Sequence, residues 1–204
     1  MNFFKKTVLF FLGICGLIVS QNGFCVEVEE KAPLLQKSCD SGTFAACHNL
    51  GGMYALGQGV KQDNVKAVKL FEKACEGGLL ISCSGLAGLY FEGKSVRQDY
   101  AQAAVLFQKT CDGGEIKGCY GLGVMYIKGE GVKQDHVKAA ALLQKACEGG
   151  EFIACSGLGV MYALGQGVKK DNTKATALFQ KACEGGVKQG CDVLKARSVP
   201  VARR

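Results

Sequence analysis

Apolar residues recur along this chain with a helical spacing that restarts every 36 residues. Cys47, Leu50, Gly51 and Tyr54 stand at i, i+3, i+4 and i+7, which is one face of an α-helix. The set returns as Cys83, Leu86, Ala87, Tyr90; as Cys119, Leu122, Gly123, Tyr126; and as Cys155, Leu158, Gly159, Tyr162. A second helical face follows each one. It reads Ala67, Leu70, Phe71, Ala74, then Ala103, Leu106, Phe107, Thr110, then Ala139, Leu142, Leu143, Ala146, then Ala175, Leu178, Phe179, Ala182. A fixed period of this size marks an array of structural repeats. The pattern predicts an all-α chain with four helix-pair repeats over residues 47–186. A lead-in and half-repeat precede them over 26–46, a half-repeat helix follows over 187–196, and a tail closes the chain over 197–204.

Polar residues and glycines punctuate the pattern. Asp63, Asp99, Asp135 and Asp171 stand just before the second helices, where a carboxylate accepts from the unpaired amides of the first turn. Recurrence at every helix start favours that role over a catalytic one. The link Gly57-Gln58-Gly59-Val60-Lys61-Gln62-Asp63 is glycine-rich, but it lacks G-x-x-x-x-G-K-[ST] and follows no strand, which excludes a phosphate loop. Val60, Val96, Val132 and Val168 are expected under this link, and Glu76-Gly77-Gly78 and its copies end the second helices. A glycine inside a helix costs up to ~1 kcal/mol against alanine, so the small residue at 51, 87, 123 and 159 predicts a close helix approach.

Charge removes one class of function. The net charge is +7, with basic residues spread thinly over the helices. No basic stripe with interleaved aromatics is present, so nucleic acid is not an expected partner. The N-terminus changes the compartment. Lys5 and Lys6 precede a twelve-residue apolar run, Val8 to Val19, and then the more polar Ser20 to Cys25. This fits a signal peptide over residues 1–25, cleaved near Val26. The run is shorter than the ~18 residues a spanning helix needs.

Cys39, Cys47, Cys75, Cys83, Cys111, Cys119, Cys147, Cys155, Cys183 and Cys191 then remain, as five C-x7-C pairs. An even count behind a leader argues for disulfides. Zinc sites favour gaps of two to four residues, and only His48 and His136 could add imidazole, so no metal or cofactor is expected. Local pairing is expected, each cysteine with its partner eight residues on. The first ends a helix, the turn reverses the chain, and the second falls on the inward face of the next helix.

The pattern L-G-x-M-Y-x-x-G-x-G-V-x-x-D-x-x-K-A-x-x-L-F-x-K-A-C-E-G-G resembles the Sel-1-like repeat, a relative of the tetratricopeptide repeat, over residues 32–196. With C-x7-C in every unit, the chain resembles the secreted cysteine-rich proteins of Helicobacter. Ala87, Gly93-Lys94-Ser95 and Leu143 depart from the pattern. The resemblance implies a right-handed α/α superhelix, a secreted or periplasmic monomer and an adaptor-like role. It also carries the label of penicillin binding and weak β-lactamase activity.

The residues themselves give that label no support. A serine β-lactamase needs S-x-x-K, and no serine here has a lysine three residues later. A binding module is the reading the residues favour, for a protein or a cell-envelope ligand, including a β-lactam or peptidoglycan-like one. A purely structural envelope protein is the third. Specificity is expected where the repeats differ: His48, Gly52, Ala55; Ser84, Gly88, Phe91; Tyr120, Val124, Ile127; and Ser156, Val160, Ala163. Phe91, Tyr120, Val124 and Ile127 form the largest apolar group and are expected to be an exposed ligand-binding patch. Packing between neighbouring units is the competing role for this stripe.

Overall fold

The computed structural model describes residues 31–93 and 96–198. The signal peptide, the rest of the charged lead-in, residues 94–95 of the second link and residues 199–204 of the tail lie outside the described residues. The helices are α1 (Lys31–Asp40), α2 (Phe44–Leu56), α3 (Asn64–Glu76), α4 (Leu80–Glu92), α5 (Tyr100–Asp112), α6 (Ile116–Lys128), α7 (His136–Glu148), α8 (Phe152–Leu164), α9 (Asn172–Glu184) and α10 (Lys188–Ser198). Each even-numbered helix from α2 to α8 pairs with the odd-numbered helix after it. The hairpins stack into a disulfide-stapled, right-handed α/α superhelix. The first helices start three residues before the cysteine that opens the sequence period, at Phe44 rather than Cys47. Helix α10 runs to Ser198, past the 196 boundary expected from periodicity.

Each link is held by backbone and side-chain bonds at fixed repeat positions. Asp63 Oδ1 accepts from the Lys66 amide at 3.0 Å, and Asp99, Asp135 and Asp171 cap α5, α7 and α9 in the same way. The Asp63 amide donates to the Tyr54 carbonyl at 2.9 Å, which pins the link back onto α2. Gln62 Nε2 donates to the Ala55 carbonyl at 2.8 Å, and Gln98 and Gln134 repeat the bond to Phe91 and Ile127. These acceptors belong to the last helical turn, which has no partners of its own.

The paired glycines do two different jobs. Gly150 has φ +91°, a left-handed conformation that reverses the chain at no steric cost. Gly149 before it has φ −75° and is needed for space. A Cβ there would sit 2.5 Å from Ile116 Cδ1, at the start of the antiparallel partner α6. The helical glycines of the repeated face also mark close approach: a Cβ on Gly159 would lie 3.0 Å from the Phe179 ring.

Beyond each turn the cysteines meet. Cys39–Cys47, Cys75–Cys83, Cys111–Cys119, Cys147–Cys155 and Cys183–Cys191 are bridged, with Cα separations of 4.5 to 4.8 Å. That spacing suits a disulfide. Disulfides of this kind belong to an oxidising, extracytoplasmic compartment. Among the described residues no helix is long and apolar enough to cross a membrane.

The core runs along the stack. Leu50, Leu122, Leu143 and Leu158 are each 1% exposed, and burying one such side chain stabilises by about 1.5–3 kcal/mol. A lysine ladder joins successive second helices. Lys145 Nζ donates to the Cys111 carbonyl at 2.9 Å, and Lys181 Nζ to the Cys147 carbonyl at 3.1 Å. Both cations meet the negative end of a helix.

The first four bridges are no more than 6% exposed, because a following helix pair covers each of them. Cys183 and Cys191 are half-buried, since among the described residues no repeat follows α10. Mild reduction with alkylation and peptide mapping is therefore expected to label Cys183 and Cys191 first. Earlier labelling of Cys111 and Cys119 would contradict this burial order.

Candidate functional site

The first helices face one another across the stack. Helices α4 and α6 touch directly, His48 of α2 reaches Ser82 of α4, and Lys128 of α6 lies over the Phe91 ring of α4 at 5.2 Å. These helices therefore line the inner side of the curve, and the variable stripe runs along it. Phe91, Tyr120 and Val124 come together there. With Phe107, Lys117 and Gly121 they line a depression of about 230 Å³. Phe107 reaches it from α5, the second helix of the hairpin that carries Phe91, and a Cβ on Gly121 would fall 2.7 Å from its ring. The small residue at 121 lets that ring form the floor.

The expectation of an exposed apolar patch needs correcting. Phe91, Tyr120, Val124 and Ile127 are all half-buried. Ile127 does not line the depression. It packs against the cluster around Leu143, and its carbonyl is taken by Gln134. Ser84 and Ser156 are buried, so packing between units accounts for those two positions of the stripe. The exposed apolar residues of this face lie one turn earlier. Ile81 and Ile153 are 38% and 42% exposed, at the register that Lys117 occupies in the third repeat. Extending the stripe back by three residues would have found all three. Phe107 carried no such signal, because its own helix assigns it to the core.

Electrostatics sharpen the picture. His48 Nδ1 lies 3.0 Å from Ser82 Oγ, and its ring packs against Phe71 with centroids 5.5 Å apart. Burial lowers the His48 pKa, and the Lys117 charge lowers it further. Burial raises that of Tyr120, helped by the Glu151 carboxylate. A second recess of about 350 Å³ lies at the last link, lined by Tyr162, Val168 and the charged Lys169, Lys170, Asp171 and Lys174. In that repeat Lys170 stands where the earlier links carry glutamine.

The His48–Ser82 contact joins residues 34 apart in sequence, and it is the arrangement closest to nucleophile chemistry. Ser82 is 0% exposed. A hydroxyl sealed inside the first turn of α4 cannot reach a substrate carbonyl. Among the described residues no group of three or more His, Cys, Asp or Glu could hold a metal ion.

Stacked hairpins of one length, with a lined inner groove, define a helical-repeat solenoid. The Sel1 repeat model matches residues 44–79, 81–115, 116–151 and 153–187, and the chain belongs to the Sel1 repeat family. Among solved structures, a protective antigen of uropathogenic Escherichia coli with this repeat fold is 33% identical, with a TM-score of 0.71. The match covers 78% of this chain and 34% of that one. A Sel1 repeat protein from Oxalobacter formigenes is 26% identical, with a TM-score of 0.77 over 81% of this chain and 66% of its own. Cysteine rich protein B of Helicobacter pylori is 28% identical, with a TM-score of 0.49 over 61% of this chain and 94% of its own. The chain thus spans about a third and about two thirds of the first two. No curated protein matches the sequence.

The state of His48 has a consequence for stability. The unfolded chain takes up its proton near 6.5, and the folded chain only at lower pH. The His48 contribution is therefore intact above about pH 6.5 and is lost as pH falls below it. The Tm should drop on acidification from about pH 7.5 to about pH 5.5, and His48→Gln should drop less. Equal decline in both proteins, or a Tm that rises with acid, would contradict the assignment.

Proposed function

We propose that this protein is a binding or adaptor module that holds a segment of a protein or cell-envelope partner along the inner face of its first helices. The observation that carries the reading is the convergence of Phe91, Tyr120 and Val124, from two repeats, on one apolar depression with Lys117 at its edge. Half-buried aromatic rings around a recess suit an anchor side chain, since such sites concentrate binding energy in a few residues. Sel1 repeats are in general a protein-binding fold. The secreted or periplasmic location and the cleaved leader are part of this proposal. Lys5-Lys6 with the apolar run after them, together with five disulfides, support it.

β-Lactam hydrolysis is the lesser reading. It rests on the resemblance to the cysteine-rich proteins, and the sealed Ser82 speaks against it. A purely structural envelope protein would leave the groove without a ligand.

Affinity capture with the oxidised protein, from envelope extract and from host-cell surface proteins, tests the reading. Tyr120→Ala and Phe91→Ala are expected to weaken a captured partner at least tenfold, about 1.4 kcal/mol, with a much smaller relative loss in Tm. Loss of binding only in step with loss of folded protein would mean that the stripe is core. Rapid turnover of a chromogenic cephalosporin, abolished by one Ser→Ala change, would replace the binding reading with the enzymatic one.

A further inference from the structure

Each hairpin puts its link at one end of its helices and the turn to the next hairpin at the other, so stacking creates two edges. Their charges differ. Among the described residues, the links and the helix ends beside them (56–66, 92–102, 128–138 and 164–174) hold nine lysines and arginines against six carboxylates. The turn edge (36–46, 72–82, 108–118, 144–154 and 180–190) holds seven against eight. Four of the six link carboxylates, Asp63, Asp99, Asp135 and Asp171, already accept from helix amides. Two residues before each of them stands a cation: Lys61, Arg97, Lys133 and Lys169. All four are exposed, and their side chains make no ion pair or hydrogen bond with the described residues.

The last link is the most basic. Lys170 stands where Gln62, Gln98 and Gln134 bond back to a first helix, and with Lys169 and Lys174 it lines the recess of about 350 Å³. Apolar side chains share the edge. Leu56 and Leu164 end α2 and α8, Val65 and Val137 lie in the first turns of α3 and α7, and all four are 52 to 68% exposed. Cations alone would suit any polyanion. Cations interleaved with exposed aliphatic side chains suit an anionic bilayer, whose headgroups attract basic residues and whose interface accepts apolar ones. Nucleic acid fits less well, because Tyr54, Tyr126 and Tyr162 beside this edge have lysines over their rings, where a base would stack.

We propose that the link edge docks this protein on an anionic phospholipid surface. Lys61, Arg97, Lys133 and Lys169 meet headgroup phosphates, Leu56 and Leu164 enter the interface, and the last link makes the strongest contact. Docking by the ends of the hairpins leaves the inner face of the first helices open, so this inference stands apart from the groove reading.

The test is cosedimentation of the oxidised, exported protein with vesicles of phosphatidylcholine alone and of phosphatidylcholine with phosphatidylglycerol. Binding should require the anionic lipid and fall at least tenfold between about 0.1 M and about 1 M salt, as the screening length shrinks. Reversing the edge (Lys61→Glu, Arg97→Glu, Lys133→Glu and Lys169→Glu together) should weaken binding at least tenfold with Tm nearly unchanged. The same charge change on the turn edge (Lys37→Glu, Lys73→Glu, Lys109→Glu and Lys188→Glu) should cost far less. Leu56→Ser with Leu164→Ser should weaken vesicle binding severalfold and leave binding to soluble heparin, assayed in parallel, unaltered. Equal binding to both vesicles, or equal loss in the two fourfold variants, would overturn the proposal. Heparin binding without vesicle binding, or vesicle binding indifferent to the leucine pair, would assign the edge to a soluble polyanion and defeat the membrane inference.

Discussion

The structure depends on one short covalent span, the eight-residue separation that ties the end of each second helix to the first turn of the next repeat. Between the two cysteines the chain must end a helix, reverse and start another. At four of the five joints a Gly-Gly turn makes this possible, one residue through its positive φ and the other through its missing side chain; at the first, Ser41-Gly42 stands in its place and Gly42 has the positive φ. In a stack of this type each unit contacts mainly its neighbours, so no distant part of the chain holds a joint closed. A bridge over so short a loop contributes roughly 2.5 kcal/mol in the chain-entropy model. It acts at the joint where two helix pairs would otherwise slide, and it sets the orientation in which the first helices form a common inner face.

What is legible in the sequence is what the repeat expresses locally. The helix faces, the aspartate caps and the cysteine partners each follow from residues a few positions apart. What stays hidden crosses from one repeat to the next. Lys145 and Lys181 reach back to the carbonyls of Cys111 and Cys147. Nothing within a single period indicates that, although the lysine recurs before every Ala-Cys or Thr-Cys at the end of a second helix. Phe107 serves both the core and the depression, and His48 finds Ser82 in the next unit. Ile127 shows the opposite error. Its i+7 spacing from Tyr120 places it on the stripe, but the last helical turn is closed over by the link that carries Gln134. Gly149 looks in sequence like a matter of conformation and proves to be a matter of contact with Ile116.

The same division separates scaffold from function. Positions constant across the units are explained by capping, close approach or core burial. The inner face varies from one repeat to the next: His48, Ser84, Tyr120 and Ser156 share one register, and Gly52, Gly88, Val124 and Val160 share the next. A stapled scaffold allows that variation, because the bridges, which recur unchanged, tie each joint between units. Gly52 and Gly88 can then persist at half-buried helix positions that would weaken a less constrained stack.

Native-state hydrogen exchange, compared between the oxidised protein and the same protein after complete reduction and alkylation, addresses the joint most directly. If the bridges hold the joints, α4 to α7 will carry the slowest amides when oxidised, and reduction will lower protection in these helices together, by more than about tenfold. Protection in α4 to α7 that survives reduction unchanged would show that packing alone holds the units in register, and would contradict a clamping role for the disulfides.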